Sequence, residues 1–206
     1  VLGMNPLMTT LATWWIARGI AFGLTQGISP NGFPDGFVNI GYSDIGGIPV
    51  VFFYAVVAIA IGIFVLSLTK YGYNTFAVGG NRLAARLRGI PVRRVTMIAF
   101  MVVALLAGFT GLVYAARLNA ATPQAAVNVN LRVIAAAVIG GAALAGGRGT
   151  ILGGVLGVLF ITLLLNATIV IGIDGVWQYT LLGAVILIAV AADALAAKAR
   201  GQEESE

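Results

Sequence analysis

The sequence predicts an all-α fold, a polytopic α-helical membrane protein with about six membrane segments, one of them short or broken. Three observations carry that expectation. Only 9% of the 206 residues are charged, 60% are apolar, and the mean hydropathy is +1.00. A soluble domain is about 25% charged, so this chain could not cover its surface with polar groups. The uncharged runs Ile45–Thr69, Val95–Ala116 and Gly149–Ile173 each exceed the ~20 residues a bilayer-spanning helix needs. The charge that exists is gathered in one place: GGNRLAARLRGIPVRR, residues 79–94, holds five of the twelve cations and no acid.

Composition also excludes whole classes of chemistry. Cysteine and histidine are absent, which removes disulfide frameworks, Cys/His metal sites and every scheme that needs a histidine base. Of seven acids, three lie in the last four residues. No catalytic site and no metal site is expected. The net charge of +5 reads as membrane topology rather than nucleic-acid binding. The opening VLGMNPLMTT lacks the charged region and cleavage site of a signal peptide. The chain is expected to be a piece of a longer protein that begins upstream.

The apolar segments, in order, are Pro6–Thr25, Val50–Thr69, Val95–Ala116, Val133–Ala145, Ile151–Ile171 and Val176–Ala192. The first contains Arg18, about 18 Å along a helix that starts near Pro6. An arginine at that depth is costly without water, a partner or the interface. It either snorkels toward the outer headgroups or faces a solute pathway. Trp14 and Trp15 read as interfacial anchors or packing residues. Ile28–Pro49 holds Asp35 and Asp44, no cation and three prolines, and reads as an extracytoplasmic loop of turns.

Lys70–Arg94 holds six cations and no acid, so the positive-inside rule assigns it to the cytoplasm. Within it Asn81 is a good N-cap and Arg82–Leu87 are strong helix formers. Gly89 suits the left-handed position after a helix, and Pro91 the first turn of the next one. Leu83, Leu87 and Ile90 fall on one face by spacing, and Arg82, Arg86 and Arg93 on another. Such a helix is either a topology anchor on anionic headgroups or a docking element for a cytoplasmic partner, apolar face inward.

In the third segment Ala104, Gly108, Gly111 and Ala115 share a face, as helices that pack closely in lipid require. Residues 118–130 then fall outside. Gln124, Asn128, Asn130 and Arg132 form a polar stretch that either receives a solute or is an ordinary solvated loop. Only fifteen residues separate Arg132 from Arg148, about 22 Å of helix against a core of ~30 Å. The fourth segment is therefore a thin span, a broken helix or a re-entrant one. GGRGT, residues 146–150, reads as a cytoplasmic turn anchored by Arg148, since no G-x-x-x-x-G-K-[ST] phosphate loop occurs. The fifth segment carries a G-x-x-x-G pair, Gly153 and Gly157, and the amide Asn166, which either bonds another helix or lines a pathway. Asp174 falls outside, and Lys198 and Arg200 inside. Residues 196–206 are a charged tail.

NTFAVGGNRLAARLRGIPVRRVTMIAFMVVALLAGFTGLVYAARLNAATPQA resembles the permease subunits of bacterial ABC monosaccharide importers of the ribose/xylose type. VIGGAALAGGRGTILGGVLGVL, NATIVIGI and LLGAVILIAVAAD extend the likeness in the same order. It runs from about Met4 to Asp193. The resemblance implies a transmembrane permease domain over residues 1–195, with 70–94 as the cytoplasmic coupling loop. ATPase coupling would fall to Gly79, Gly80, Asn81, Ala84, Ala85, Gly89 and Ile90, which match the family motif, with Arg86 on the same helix. Leu83 departs from the family's usual Glu, and Arg82 from a Pro or small residue, so the carboxylate for an ion pair with an ATPase arginine is absent from this helix.

The implied partners are an ABC ATPase subunit that carries ATP and Mg, an extracytoplasmic sugar-binding protein, a second permease copy and the lipid bilayer of the bacterial cytoplasmic membrane. No cofactor on this chain and no nucleic acid are implied. Candidate pathway residues are Arg18, Gln124, Arg132 and Asn166. Two alternatives stay open. One is a related permease for branched-chain amino acids or nucleosides. The other is an ion-coupled carrier or channel, which normally shows acids within its spans; here only Asp193 approaches that.

Overall fold

A computed structural model of the chain describes residues 6–127, 129–143, 146–172, 174–175, 177–178, 180–185 and 187–191. Asn128, Val176, Ala192, Asp193, Lys198, Arg200 and the 196–206 tail lie outside the described residues. The elements are α1 (Pro6–Thr25), α2 (Asp35–Tyr42), β1 (Asp44–Ile45), β2 (Ile48–Pro49), α3 (Val50–Leu68), α4 (Lys70–Gly80), α5 (Arg82–Leu87), α6 (Val92–Leu118), α7 (Val129–Ile139) and α8 (Ile151–Val170). Helical residues recur between Gly175 and Ala191.

Among the described residues three helices, α3, α6 and α8, are long and apolar enough to cross a membrane. α3 buries none of its residues. A helix that is apolar on every side and uncovered is stable only where lipid is the solvent, since its peptide groups are all paired internally. The chain is a polytopic helical membrane protein. α1 has twenty residues but carries Arg18 and three threonines near its start. The fourth apolar segment forms an eleven-residue helix, about 16 Å long. It starts at Val129, earlier than its apolar run, and stops at Ile139. The stop is local: Gly141 adopts φ 84°, its N–H donates to the Val138 carbonyl, and the Ala142 N–H to that of Ala137, the paired bonds of a glycine-terminated helix.

The chain divides into two compact units, residues 1–56 with 103–127, and residues 57–102 with 128–206. In the first unit the segment expected as a loop of turns contains α2 and a two-stranded hairpin. Gly46 and Gly47 adopt φ 62° and 83°, the left-handed pair that a two-residue hairpin turn demands. α2 lies directly on α6 at Gly41, where an added Cβ would sit 2.7 Å from the Arg117 nitrogen and 2.9 Å from the Val113 oxygen. Asn119, at φ 48°, ends α6, and its side-chain oxygen accepts the Phe33 N–H at 3.0 Å. The Ala121 N–H donates to the Pro30 carbonyl at 2.9 Å, so residues 30–33 are clamped to the end of α6.

In the second unit α7 and α8 form an antiparallel hairpin whose backbones meet at glycine. The Ala136 carbonyl faces Gly157, and the Gly140 carbonyl faces Gly153. Ala135, Ala136, Ile161, Leu165 and Leu182 close around this contact. The G-x-x-x-G pair therefore packs as its spacing indicates. On α6, Gly108 and Gly111 have nothing within 4 Å of an added Cβ among the described residues, while Ala115 is half-buried.

A leucine at Gly157 has no room, whereas Gly154 faces open space. Gly157→Leu should destabilise the full-length subunit in detergent by about 1–3 kcal/mol, the usual cost of overpacking, and Gly154→Leu should leave thermal unfolding unchanged.

Candidate functional site

The basic segment is shaped by hydrogen bonds that its own sequence supplies. Asn81 adopts extended backbone angles, and its side-chain oxygen accepts the N–H groups of Leu83 and Ala84, each at 3.0 Å. Two of the orphan donors at the start of α5 are thereby satisfied. The same residue ends α4, since its N–H donates to the Ala77 carbonyl. At the other end Gly89 adopts φ 77°. Its N–H donates to the Arg86 carbonyl at 2.9 Å, and the Ile90 N–H to the Ala85 carbonyl at 3.0 Å, which is a Schellman motif.

The Pro91 carbonyl accepts the Val95 N–H at 3.1 Å. Pro91 thus caps α6 from the residue before Val92, one position ahead of the first-turn place expected of it. α4 itself went unread in the sequence. Its signal was Thr69, whose hydroxyl accepts the Gly72 N–H, followed by residues too polar for a span.

Only one face of α5 is held by the rest of the chain. Ala85 is 2% exposed and packs with Val78, Val92 and Val95, with Tyr71 and Ile90 alongside. Leu83 and Leu87 point away, 68% and 82% exposed, and Arg82, Ala84, Arg86 and Arg88 are exposed with them. The spacing that put Ile90 on the face of Leu83 and Leu87 fails, because the left-handed turn at Gly89 redirects the chain before Ile90. The exposed face presents two leucines flanked by guanidinium groups, suited to an apolar groove with an acidic rim. Gly79 and Gly80 close α4 immediately before it.

The residues proposed for a pathway are divided between the units, Arg18 and Gln124 in the first and Arg132 and Asn166 in the second. Arg18 is half-buried, and its Nη2 donates to the Ala125 carbonyl at 3.3 Å. Its Cζ lies 4.9 Å from the centre of the Trp14 ring, close enough for a cation–π contact. Gln124 is exposed in the turn beside Ala125. Arg132 on α7 and Asn166 on α8 are both exposed. Asn166 lies off the stripe of Gly157, Ile161, Leu165 and Thr168 that α8 buries.

An open cavity of about 390 Å³ with a mixed polar and apolar lining, which the sequence reading missed, lies in the first unit, lined by Tyr42, Asp44, Tyr114 and Arg117 beside Gly41, Pro49 and Leu118. A carboxylate, a guanidinium and two phenols are groups that bind hydroxylated solutes. They come from positions 42–49 and 114–118, so only the clamp between α2 and the end of α6 brings them together. Among the described residues no cluster of metal-ligating side chains occurs.

The family model described as "Branched-chain amino acid transport system / permease component" matches residues 1–190. The chain is 41% identical over 203 residues to the probable ABC transporter permease protein y4mJ of Sinorhizobium fredii, covering 98% of this chain and 61% of that protein. It is 39% identical over 192 residues to the ribose import permease protein RbsC of Bacillus subtilis, covering 92% and 60%. With the L-arabinose transport system permease protein AraH of Escherichia coli it shares 36% over 199 residues, covering 97% and 61%. The chain thus spans about three-fifths of the length of these curated relatives. No solved structure matches. An apolar, multi-helix chain matched over nearly its whole length in this way belongs to the ABC transporter permease family of that description.

Proposed function

We propose that the subunit containing this chain is the membrane-spanning permease of an ATP-driven importer for a monosaccharide. The substrate class rests on the relatives named for L-arabinose, ribose and D-allose, and it is preferred to the branched-chain amino acids of the family description. The chain breaks no covalent bond. ATP is hydrolysed on a partner subunit that carries the Mg, an extracytoplasmic binding protein delivers the sugar, and two permease copies line one pathway in the bacterial cytoplasmic membrane.

α5 is the observation that carries the mechanism. A six-residue helix is far too short to be stable alone, yet this one is capped at both ends and tied down through Ala85 and Ile90, while its leucines and arginines stay uncovered. That is the form of a rigid contact for another protein. ATP binding on the partner biases the permease between inward- and outward-facing packings, provided the ATPase binds the two with different affinity. In the topology we propose, six segments cross or enter the membrane, residues 70–94 lie in the cytoplasm, and residues 28–49 lie outside.

Three measurements test this reading. Gly89→Asp in the full-length subunit should abolish both uptake and ATPase association while membrane insertion is kept, because a side chain at φ 77° opposes the Schellman turn. Normal uptake by that variant would remove the docking role. Leu87→Asp, on the uncovered face, should weaken co-purification of the ATPase by about tenfold, the effect of losing one well-packed interface residue. The sequence has no cysteine, so Arg88→Cys gives a clean label on this chain. A membrane-impermeant thiol reagent should reach it in inside-out vesicles and not in intact cells, and labelling from outside would overturn the topology.

A further inference from the structure

We propose that the backbone contact between Gly79–Gly80 and Gly146–Gly147 is the joint through which α5 moves the α7–α8 hairpin, with Gly79 and Gly147 as positioning residues for transport. The inference rests on the reading of α5 as the ATPase contact.

The contact is formed by main chain alone. A Cβ on Gly79 would lie 2.5 Å from the Gly147 nitrogen and 3.1 Å from its Cα. A Cβ on Gly147 would lie 2.6 Å from the Gly80 Cα and 2.7 Å from the Gly80 nitrogen. One on Gly146 would lie 2.9 Å from the Gly79 oxygen. No side chain intervenes to yield, so displacement of one segment is passed directly to the other. Ordinary contact between heavy atoms needs roughly 3.5–4 Å, so any added carbon must push the two segments apart by about 1 Å.

The joint stands between two stiff pieces. On one side Gly80 precedes Asn81, which ends α4 and caps α5. On the other, the Ala143 N–H donates to the Arg148 carbonyl at 3.1 Å, and the Gly146 N–H to the Ala143 carbonyl at 3.0 Å. Gly146 and Gly147 adopt φ 92° and 78°, a backbone that presents its own peptide groups to α4. This turn leads straight into Thr150, whose hydroxyl caps α8 through the Gly153 N–H at 3.0 Å. α8 is in turn locked to α7 at Gly153 and Gly157. Along the described residues a push on α5 therefore passes through hydrogen-bonded and capped backbone to α8, and through the glycine contacts to α7, the helices that carry Asn166 and Arg132.

Neighbouring glycines supply the controls. Gly80 closes the same helix end as Gly79, but its own Cβ direction is open. Gly141 has a φ of 84°, close to that of Gly147, and also faces open space. The experiment compares Gly79→Ala with Gly80→Ala, and Gly147→Ala with Gly141→Ala. Each variant is placed in the complete importer, with ATPase and binding protein, in proteoliposomes. ATPase co-purification, ATP hydrolysis and sugar uptake are measured on each. Gly79→Ala and Gly147→Ala should keep the ATPase and keep hydrolysing ATP while uptake falls by about tenfold, the scale of a lost coupling contact. Gly80→Ala should retain far more uptake than Gly79→Ala, and Gly141→Ala far more than Gly147→Ala.

Equal uptake within each pair would overturn the proposal. So would loss of ATPase binding together with uptake in Gly79→Ala, because the contact would then only support the shape of α5. Failure of Gly79→Ala and Gly147→Ala to insert, with both controls inserting, would likewise make it a folding contact and overturn the proposal. Failure of the wider functional reading looks different: the wild-type subunit would bind no ATPase, or would take up sugar without ATP.

Discussion

Close approach of backbone to backbone at glycine is the constraint on which this structure depends. With 9% charged residues and lipid in place of water, helices gain little from burying apolar side chains against each other, so contact comes where small residues let main chains meet. Gly41 admits α2 to the end of α6, Gly153 and Gly157 admit α7 to α8, and Gly79 admits the turn at 146–147. Where the glycine lacks a neighbour, as at Gly108 and Gly111, the face stays uncovered within the described residues.

The basic segment obeys a different rule. It is not held by apolar burial over a long face, because within α5 only Ala85 is buried. Instead its ends are closed by side-chain and main-chain hydrogen bonds at Asn81 and Gly89. The consequence is a division of labour within a few residues: Asn81, Ala85, Gly89 and Ile90 make the shape, and Arg82, Leu83, Arg86 and Leu87 are left without a task inside this chain. Leu83 adds to the apolar part of that face.

What was legible in the sequence was whatever depends on residues near one another along the chain. The limits of α1, α3, α5 and α8 follow from runs of apolar residues and from Asn81 and Gly89. The helix pair around Gly157 follows from a four-residue period. Contacts between distant segments left no such trace. Nothing about GGRGT announced that Gly146 and Gly147 would touch Gly79, and nothing near Asp44 announced Arg117 as a neighbour. The expected loop between α1 and α3 contains a helix and a hairpin, and Asn119, almost ninety positions on from Phe33, holds its start to the end of α6. Asn166, Gln124 and Arg132 are exposed, and exposure alone assigns them no neighbour.

α6 runs unbroken for 27 residues, about 40 Å, and carries Arg93 and Arg94 in its first turn and Arg117 in its last. Between these charges lie 22 uncharged residues, 95–116, about 33 Å of rod against a hydrocarbon layer of about 30 Å. Sliding this rod lengthwise in either direction would drag a guanidinium group into oil. Its permitted movements are rocking and turning about its own axis. The rod joins α5 through residues 88–91, so in the mechanism proposed above a thrust on α5 would appear as a change of angle and not as a piston stroke.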